Sequence, residues 1–566
     1  MAMSVRAVAA VAALCSLLEA QDAEFTHLDA DGNATVQVTA YASGGGGRGF
    51  GVGWVRVDAQ SLDDRSHELS IVVEPPSVMG CYQLVRQSLR VEAGAAARCF
   101  VPLAIPPTAG ELTVVIDDVR YKESMGFRRG RGHAVLFVSD VAGAAATGAS
   151  VLEALPRDDP GRAPSAHQVA SSGVPEDWRL FTSFAAVIVD GRAALGEDAQ
   201  RALRTYAYCG GRVVVSTPRL LPAGALKTAA AELFGARALG MGQVAAIAPF
   251  DADPARNREA LKGLRPLGQG LWPAPPAMFA EQPIPGLGGP PVEVFLLIIL
   301  LFAVLAGPVN LIWLRRRRQP VLSVLTIPLL GVGTTALILI YGIFHDGFGA
   351  RGVLRSWTVL DQVAGESATV SARTLFAGLA PDALQVEAGA PVLSGRAGLG
   401  DPELPDRWHL DADSSVLDGG IVPSRMITPL LTAQFAAVDA RLMFRRAGDA
   451  LEVSPDGGLR VEGRAVVRDL NGDYWAGVDG TLSQVPAADG ERLFATMQRD
   501  AHLVPSAEQG AALDRVWSVL PDWGAPGTYA ACMGAAPWVH EHGLQVDYDE
   551  RRHVVFGRLA REDIVE

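Results

Sequence analysis

The sequence predicts a multidomain membrane protein: an N-terminal β-sandwich, an α/β domain on a parallel sheet, two transmembrane helices, and a C-terminal mainly-β region with one helix. Three observations predict it. Two long apolar runs without a charged residue flank four consecutive arginines in mid-chain. The region before them changes from short alternating strands to buried strands interleaved with helices, and the region after them returns to alternation.

Residues 1–20 have the layout of a secretory signal peptide, with Arg6, an apolar stretch over 7–18, and Leu18-Glu19-Ala20 ahead of the polar Gln21. Cys15 follows Leu14, where a lipoprotein signal has a small residue. An uncleaved signal would act as a third anchor.

Residues 21–128 read as a β-sandwich. Ala34-Thr35-Val36-Gln37-Val38-Thr39 alternates with period two, as do parts of 50–57, 68–73, 83–91 and 112–116. Turn formers at 44–47, Pro75-Pro76 and Pro106-Pro107 separate them.

Residues 129–264 read as an α/β domain. The runs 134–138, 184–189 and 212–216 are continuously apolar or nearly so, as strands buried on both faces are. A helix over 197–208 places Ala199, Ala202, Leu203 and Tyr206 on one face, with Glu197 and Asp198 at its start and Gly210 at its end. A second helix is expected over 226–234 and a fourth strand near 243–248. Residues 265–291 are dense in proline and glycine and form a semi-rigid linker.

Residues 292–345 form the membrane hairpin. The runs 294–314 and 321–344 each supply the ~20 residues that a helix needs to cross the hydrocarbon core. Arg315 to Arg318 place the turn in the cytoplasm, since Lys and Arg collect on that side. Both large flanking regions then lie outside the inner membrane. Gly307, Pro308 and Asn310 mark a kink in the first helix, and Gly331, Gly333, Thr334 and Thr335 offer a small surface for close packing.

Residues 346–566 read as mainly β. Alternation is visible at 368–374, 434–444 and 459–467, with a turn at Asn471-Gly472-Asp473. A helix is expected over 506–520, opened by a capping box of Ser506 and Gln509, and a hairpin over 545–559.

The 566 residues suffice for three or four domains, and 49% hydrophobic content excludes wholesale disorder. A net charge of −13 speaks against nucleic-acid binding. Cys81 and Cys99 are candidates for a disulfide, or equally for two buried thiols in neighbouring strands. Cys209 and Cys532 have no neighbour in sequence.

The stretches VPEDWRLFTSFAAVIVDG (174–191), EDAQRALRTYAYCGG (197–211) and RVVVS (212–216) resemble the class I glutamine amidotransferase-like fold. GPVNLIWLRRRR (307–318), with weaker similarity at RTLFAGLAP (373–381) and GGIVPSR (419–425), resembles uncharacterised bacterial membrane proteins that join such a domain to a two-helix hairpin. The resemblance implies architecture and no reaction. An amidotransferase needs a nucleophilic Cys on a strand-to-helix elbow with a His nearby. Here that turn reads Ser216-Thr217-Pro218-Arg219, and Cys209 belongs to the preceding helix. No catalytic residue is assigned.

Two clusters are candidate binding sites. Asp140, Asp190 and Ser216 fall at the carboxyl edge of the parallel sheet, where ligands bind in open α/β sheets, although such residues also cap loops. His540, His542 and His553, with two aspartates between, could hold zinc if the chain folds back on itself. No cofactor is expected. The functional expectation is a non-enzymatic, membrane-anchored envelope protein. Its contacts would be the lipid bilayer and a protein partner or envelope ligand, with a homo-oligomer as one form. The alternatives are an envelope hydrolase, metal-assisted or serine-based, and an accessory subunit of a transport complex.

Overall fold

The computed structural model describes residues 23–42, 52–74, 83–104, 109–126, 133–157, 164–216, 235–250, 254–264, 266–267, 284–285, 287, 292–318, 320–386, 392–394, 406–410, 415–418, 422–454, 458–500, 524–539 and 544–565. The signal segment, the helices expected over 226–234 and 506–520, and most of the linker lie outside them.

The first eight strands are β1 (Ala23–Leu28), β2 (Ala34–Ala42), β3 (Val52–Ser61), β4 (His67–Glu74), β5 (Gln83–Val91), β6 (Ala96–Ala104), β7 (Ala109–Ile116) and β8 (Val119–Gly126). One sheet runs β1-β2-β3-β6 and another contains β5-β4-β7-β8. Alternate residues meet between them: Val36, Val38, Val55, Val57 and Val101 from the first, and Leu69, Ile71, Val85, Leu112 and Val114 from the second. Period-two patterning here buries one face of each sheet.

The next six strands are β9 (Ala134–Val138), β10 (Ser165–Val169), β11 (Ala186–Val189), β12 (Arg212–Ser216), β13 (Gly235–Leu239) and β14 (Gly242–Ile247). They form a sheet in the order β10-β9-β11-β12-β14-β13, parallel except for the antiparallel edge strand β13. Its two faces feed separate cores. Leu136, Val138, Val187 and Val213 pack with Ala199, Leu203 and Tyr206 of helix Glu197–Tyr208. Val135, Phe137, Ile188 and Val214 pack with Val151 of helix Ala149–Ala154 and with Leu261 of helix Pro254–Leu261. Gly210, at φ +112, ends the helix Glu197–Tyr208 where a side chain would be strained. We label these helices α1 (Ala149–Ala154), α2 (Glu197–Tyr208) and α3 (Pro254–Leu261).

Two apolar helices follow. The first, α4, runs continuously over Val292–Arg317, with one wider π turn at Leu305–Val309 around Pro308. The second, α5, is Ser323–Asp346. Pro308 cannot donate a backbone hydrogen bond, and the wider turn accommodates it. Asn310 donates from its side-chain amide to Thr326 Oγ1 at 2.9 Å, which ties the two helices together just after the π turn. Neither helix buries its apolar surface in the rest of the protein: Leu297, Leu300, Val324 and Leu329 are each more than 60% exposed. A Cβ built on Gly307, Gly331 or Gly333 would meet nothing within 4 Å, so these glycines do not carry the packing between α4 and α5.

The remaining strands are β15 (Ala350–Asp361), β16 (Glu366–Ala377), β17 (Ala383–Val386), β18 (Val392–Ser394), β19 (Asp406–Leu410), β20 (Ser415–Asp418), β21 (Ile427–Ala437), β22 (Met443–Ala447), β23 (Ala450–Ser454), β24 (Val461–Arg468), β25 (Tyr474–Val478), β26 (Thr481–Val485), β27 (Thr528–Met533), β28 (Val546–Arg558) and β29 (Ile564–Val565). Most join one sheet in the order β18-β21-β16-β15-β28-β27-β24-β25-β26-β23-β22-β29. Phe444, Leu451, Val467, Trp475, Leu482, Tyr529 and Val555, spread from β22 to β28, share one core, so this sheet curls around its own inner face.

Three readings of the tail change. The segment expected as a hairpin over 545–559 is a single strand, β28, which runs parallel to β15. It lacks a turn-forming Asn-Gly or Gly pair, and Asp549 makes a bulge, where the register slips between Gly352 and Val353. The run 434–444 is cut at Ala437, and Met443 begins the next strand. A helix absent from the sequence reading, α6 (Ala487–Asp500), follows Pro486 and buries Phe494 and Met497.

The domain boundaries read from sequence are crossed by hydrogen bonds. β19, from the tail, lies parallel to β5, from the first region, with Asp406 opposite Gln83 and Leu410 opposite Gln87. β20 and β17 then extend the same sheet. The α/β domain docks on the tail through a bidentate ion pair between Arg204 of α2 and Glu366 of β16. Beside it Tyr208 Oη donates to the Glu366 carbonyl at 3.3 Å, and the Tyr208 ring meets Phe435 edge-on. Glu366→Ala should destabilise the protein by about 2 kcal/mol, the scale for breaking a half-buried bidentate pair. A denaturation double-mutant cycle with Arg204→Ala checks this, and a coupling energy near zero contradicts the docking role.

Candidate functional site

At the carboxyl edge of the parallel sheet, β9, β11 and β12 bring Ser139, Asp190 and Ser216 side by side. Ser139 Oγ donates to Asp190 Oδ2 at 2.8 Å. Arg192 clamps the same carboxylate, with Nη2 at 2.8 Å from Oδ2, and Nε at 3.0 Å and its backbone N–H at 3.1 Å from Oδ1. Ser216 Oγ accepts from the Gly191 N–H at 3.0 Å. Asp190 is 2% exposed. Burial alone would raise its pKa, but the Arg192 and Ser139 hydrogen bonds outweigh that and hold it below the usual carboxylate range. Asp140 stands apart from this network, exposed, and receives the Ser171 N–H at 2.8 Å. The edge is therefore built, and its oxygens are occupied in shaping the loops that leave the strands.

Cys209 follows the last residue of α2 and is buried, which pushes its thiol pKa far up. It is no thiolate nucleophile. Cys99, on β6, is likewise a buried free thiol, pushed up to about 12 by burial and by Asp58. Cys81, its candidate disulfide partner, lies outside the described residues.

Of the three histidines, His540 and His542 lie outside the described residues. His553 sits in the middle of β28 rather than on the return strand of a hairpin. It is 3% exposed, and its Nδ1 shares a 2.6 Å hydrogen bond with Ser356 Oγ of β15. Burial, then Arg551 and Arg373, lower its pKa to about 4, so it is neutral at pH 7. No group of three or more potential metal ligands occurs among the described residues.

The Ser356–His553 pair belongs to a polar layer that sequence reading missed. Thr358 Oγ1 and Thr369 Oγ1 lie 2.8 Å apart, Ser371 Oγ and Thr432 Oγ1 2.5 Å apart, and Trp538 Nε1 donates to Thr358 Oγ1 at 3.0 Å. All are buried. The signal was the alternation Ser367, Thr369, Ser371, Arg373 against Ala368, Val370, Ala372. Such a pattern reads as a solvated face, yet both faces of β16 are covered. Ser356 and His553 have the contact of a nucleophile and its base. However, they lie mid-strand, and no carboxylate hydrogen-bonds His553 among the described residues.

A second missed cluster closes one end of the sandwich. His67 is 4% exposed, with Nδ1 2.7 Å from Asp117 Oδ2 and Nε2 2.8 Å from Asp63 Oδ1. Burial alone would lower its pKa, but the two carboxylates together raise it.

No protein-family model matches this chain, and no curated protein does. Among solved structures it is similar to a carbohydrate acetylesterase from Xanthomonas citri at 9% identity. That similarity covers 76% of this chain and 93% of that one, with a TM-score of 0.19, at which the likeness carries no argument.

Asp190→Ala should cost about 2 kcal/mol, because Ser139 loses its buried acceptor, and chemical denaturation measures it; an unchanged midpoint contradicts the clamp. The two histidines should act oppositely with pH. His553, depressed in the fold, withdraws stability as pH falls from 6.5 through about 4, by about 3 kcal/mol in full. His67, raised in the fold, contributes stability that is complete below 6.5 and is lost as pH rises through its folded pKa. Denaturation midpoints across pH should show a flatter acid limb for His553→Gln and a smaller neutral-to-alkaline loss for His67→Gln. Limbs identical to the unsubstituted protein contradict both assignments.

Proposed function

We propose that this chain is a membrane-anchored protein of the cell envelope whose two extramembrane regions form one binding body with no chemistry of its own. The observation that carries this reading is the pair of apolar helices, whose outward faces the rest of the protein leaves uncovered, joined by an arginine turn, beneath halves that share a sheet. An apolar surface that large is tolerated in lipid and not in water. The four arginines favour a cytoplasmic turn and extracytoplasmic halves. The α/β domain, which resembles glutamine amidotransferase-like domains, serves in this reading as a binding scaffold. Its edge oxygens are engaged in the loops, and its cysteine is buried. The ligand is a protein partner or an envelope component presented to that body.

Affinity purification of the full chain from native membranes in mild detergent tests the proposal. A companion retained in constant ratio is the expected result. A hydrolytic turnover by the purified protein that disappears in Ser356→Ala or Ser216→Ala would establish the enzyme reading in its place.

A further inference from the structure

We propose that the arginine turn between α4 and α5 is a binding site for the phosphate of anionic phospholipid headgroups, a reading that rests on the membrane-spanning hairpin above. Arg315, Arg316 and Arg317 form the last turn of α4, and Arg318, at φ +55, is the left-handed residue that ends it. All four are exposed, and none has a carboxylate partner among the described residues. The nearest acidic residues along the chain, Glu293 and Asp346, stand at the opposite ends of the two helices. Helices of this length separate them from the turn by roughly 30 Å, several Debye lengths at physiological salt. Among the described residues, then, no carboxylate supplies a counter-charge for the cluster.

The geometry suits phosphate. Successive helix residues are about 100° apart, so the three helical guanidiniums fan around the end of α4 instead of stacking in one stripe. Each guanidinium presents a planar fork that matches two phosphate oxygens. The Arg317 guanidinium lies 4.7 Å over the ring of Trp313, which is 44% exposed one turn back. An indole of that kind sits at headgroup level, and its face holds the cation there. The chemistry recognised is a phosphate mono- or diester, and the bilayer carries it at the depth where these side chains end.

The test uses the full chain purified in a zwitterionic detergent and titrated with phosphatidylglycerol, phosphatidylcholine or inorganic phosphate. Saturable binding of phosphatidylglycerol alone is expected. In Arg316→Gln/Arg318→Gln it should weaken about thirty-fold, some five-fold for each charge lost. Equal binding of the two lipids, or an unaltered affinity in the double variant, overturns the proposal. Competition by inorganic phosphate at comparable concentration assigns the site to a soluble phosphate compound and overturns the lipid source. Failure of the chain to enter phosphatidylcholine vesicles at all is a separate result, which defeats the membrane reading itself.

Discussion

The ladder between β5 and β19 is the constraint on which the rest of the molecule depends. One strand lies before the apolar helices in sequence and the other after them, and they are joined residue by residue from Gln83–Asp406 to Gln87–Leu410. A hydrogen-bonded sheet cannot be divided by a bilayer, because backbone groups left unpaired in hydrocarbon are each costly. Whatever α4 and α5 cross, they return the chain to the side it left. The same conclusion follows from Arg204 on Glu366, and from Ile284 and Leu287, which pack on Val353 and Phe376 just after the hairpin. The halves are one body fed by two lengths of chain, with the hairpin as a projection from it.

Much of this fold was legible in the sequence. The runs over 134–138, 184–189 and 212–216 became central parallel strands, because continuous apolar character is what burial on both faces requires. The helix over 197–208 has the bounds its caps imply, and Pro308, the position expected to disturb the first apolar helix, lies in a widened turn. Non-local pairing was not legible. Nothing in residues 406–410 says that they add to a strand more than three hundred residues earlier. The hairpin expected over 545–559 is instead one strand, with a bulge at Asp549 where it lies alongside β15.

The candidate sites were legible in position and misleading in use. Asp190 and Ser216 do reach the sheet edge, where the strand ends placed them, but Arg192, Ser139 and Gly191 take up their oxygens. Sequence reading cannot see that Arg192, two residues on, turns back onto Asp190. Likewise Ser356 and His553 are 197 residues apart, and no spacing rule joins them. Hydroxyls at alternate positions of β16 ordinarily face water; here the curl of the sheet and Trp538 cover them, so they pair with one another. Much of the polar chemistry in this chain maintains the arrangement of strands.

The most direct test is the location of the two halves relative to the arginine turn. Single cysteines at Glu92 and Val478, both exposed, and at Arg316 can be treated with a membrane-impermeant maleimide in intact spheroplasts, against the labelling of the unsubstituted chain. Reaction at Glu92→Cys and Val478→Cys, with Arg316→Cys protected until the membrane is opened, is the predicted result. Reaction at only one of the two halves would contradict the account, since a sheet shared by β5 and β19 cannot have its strands on opposite sides of a bilayer.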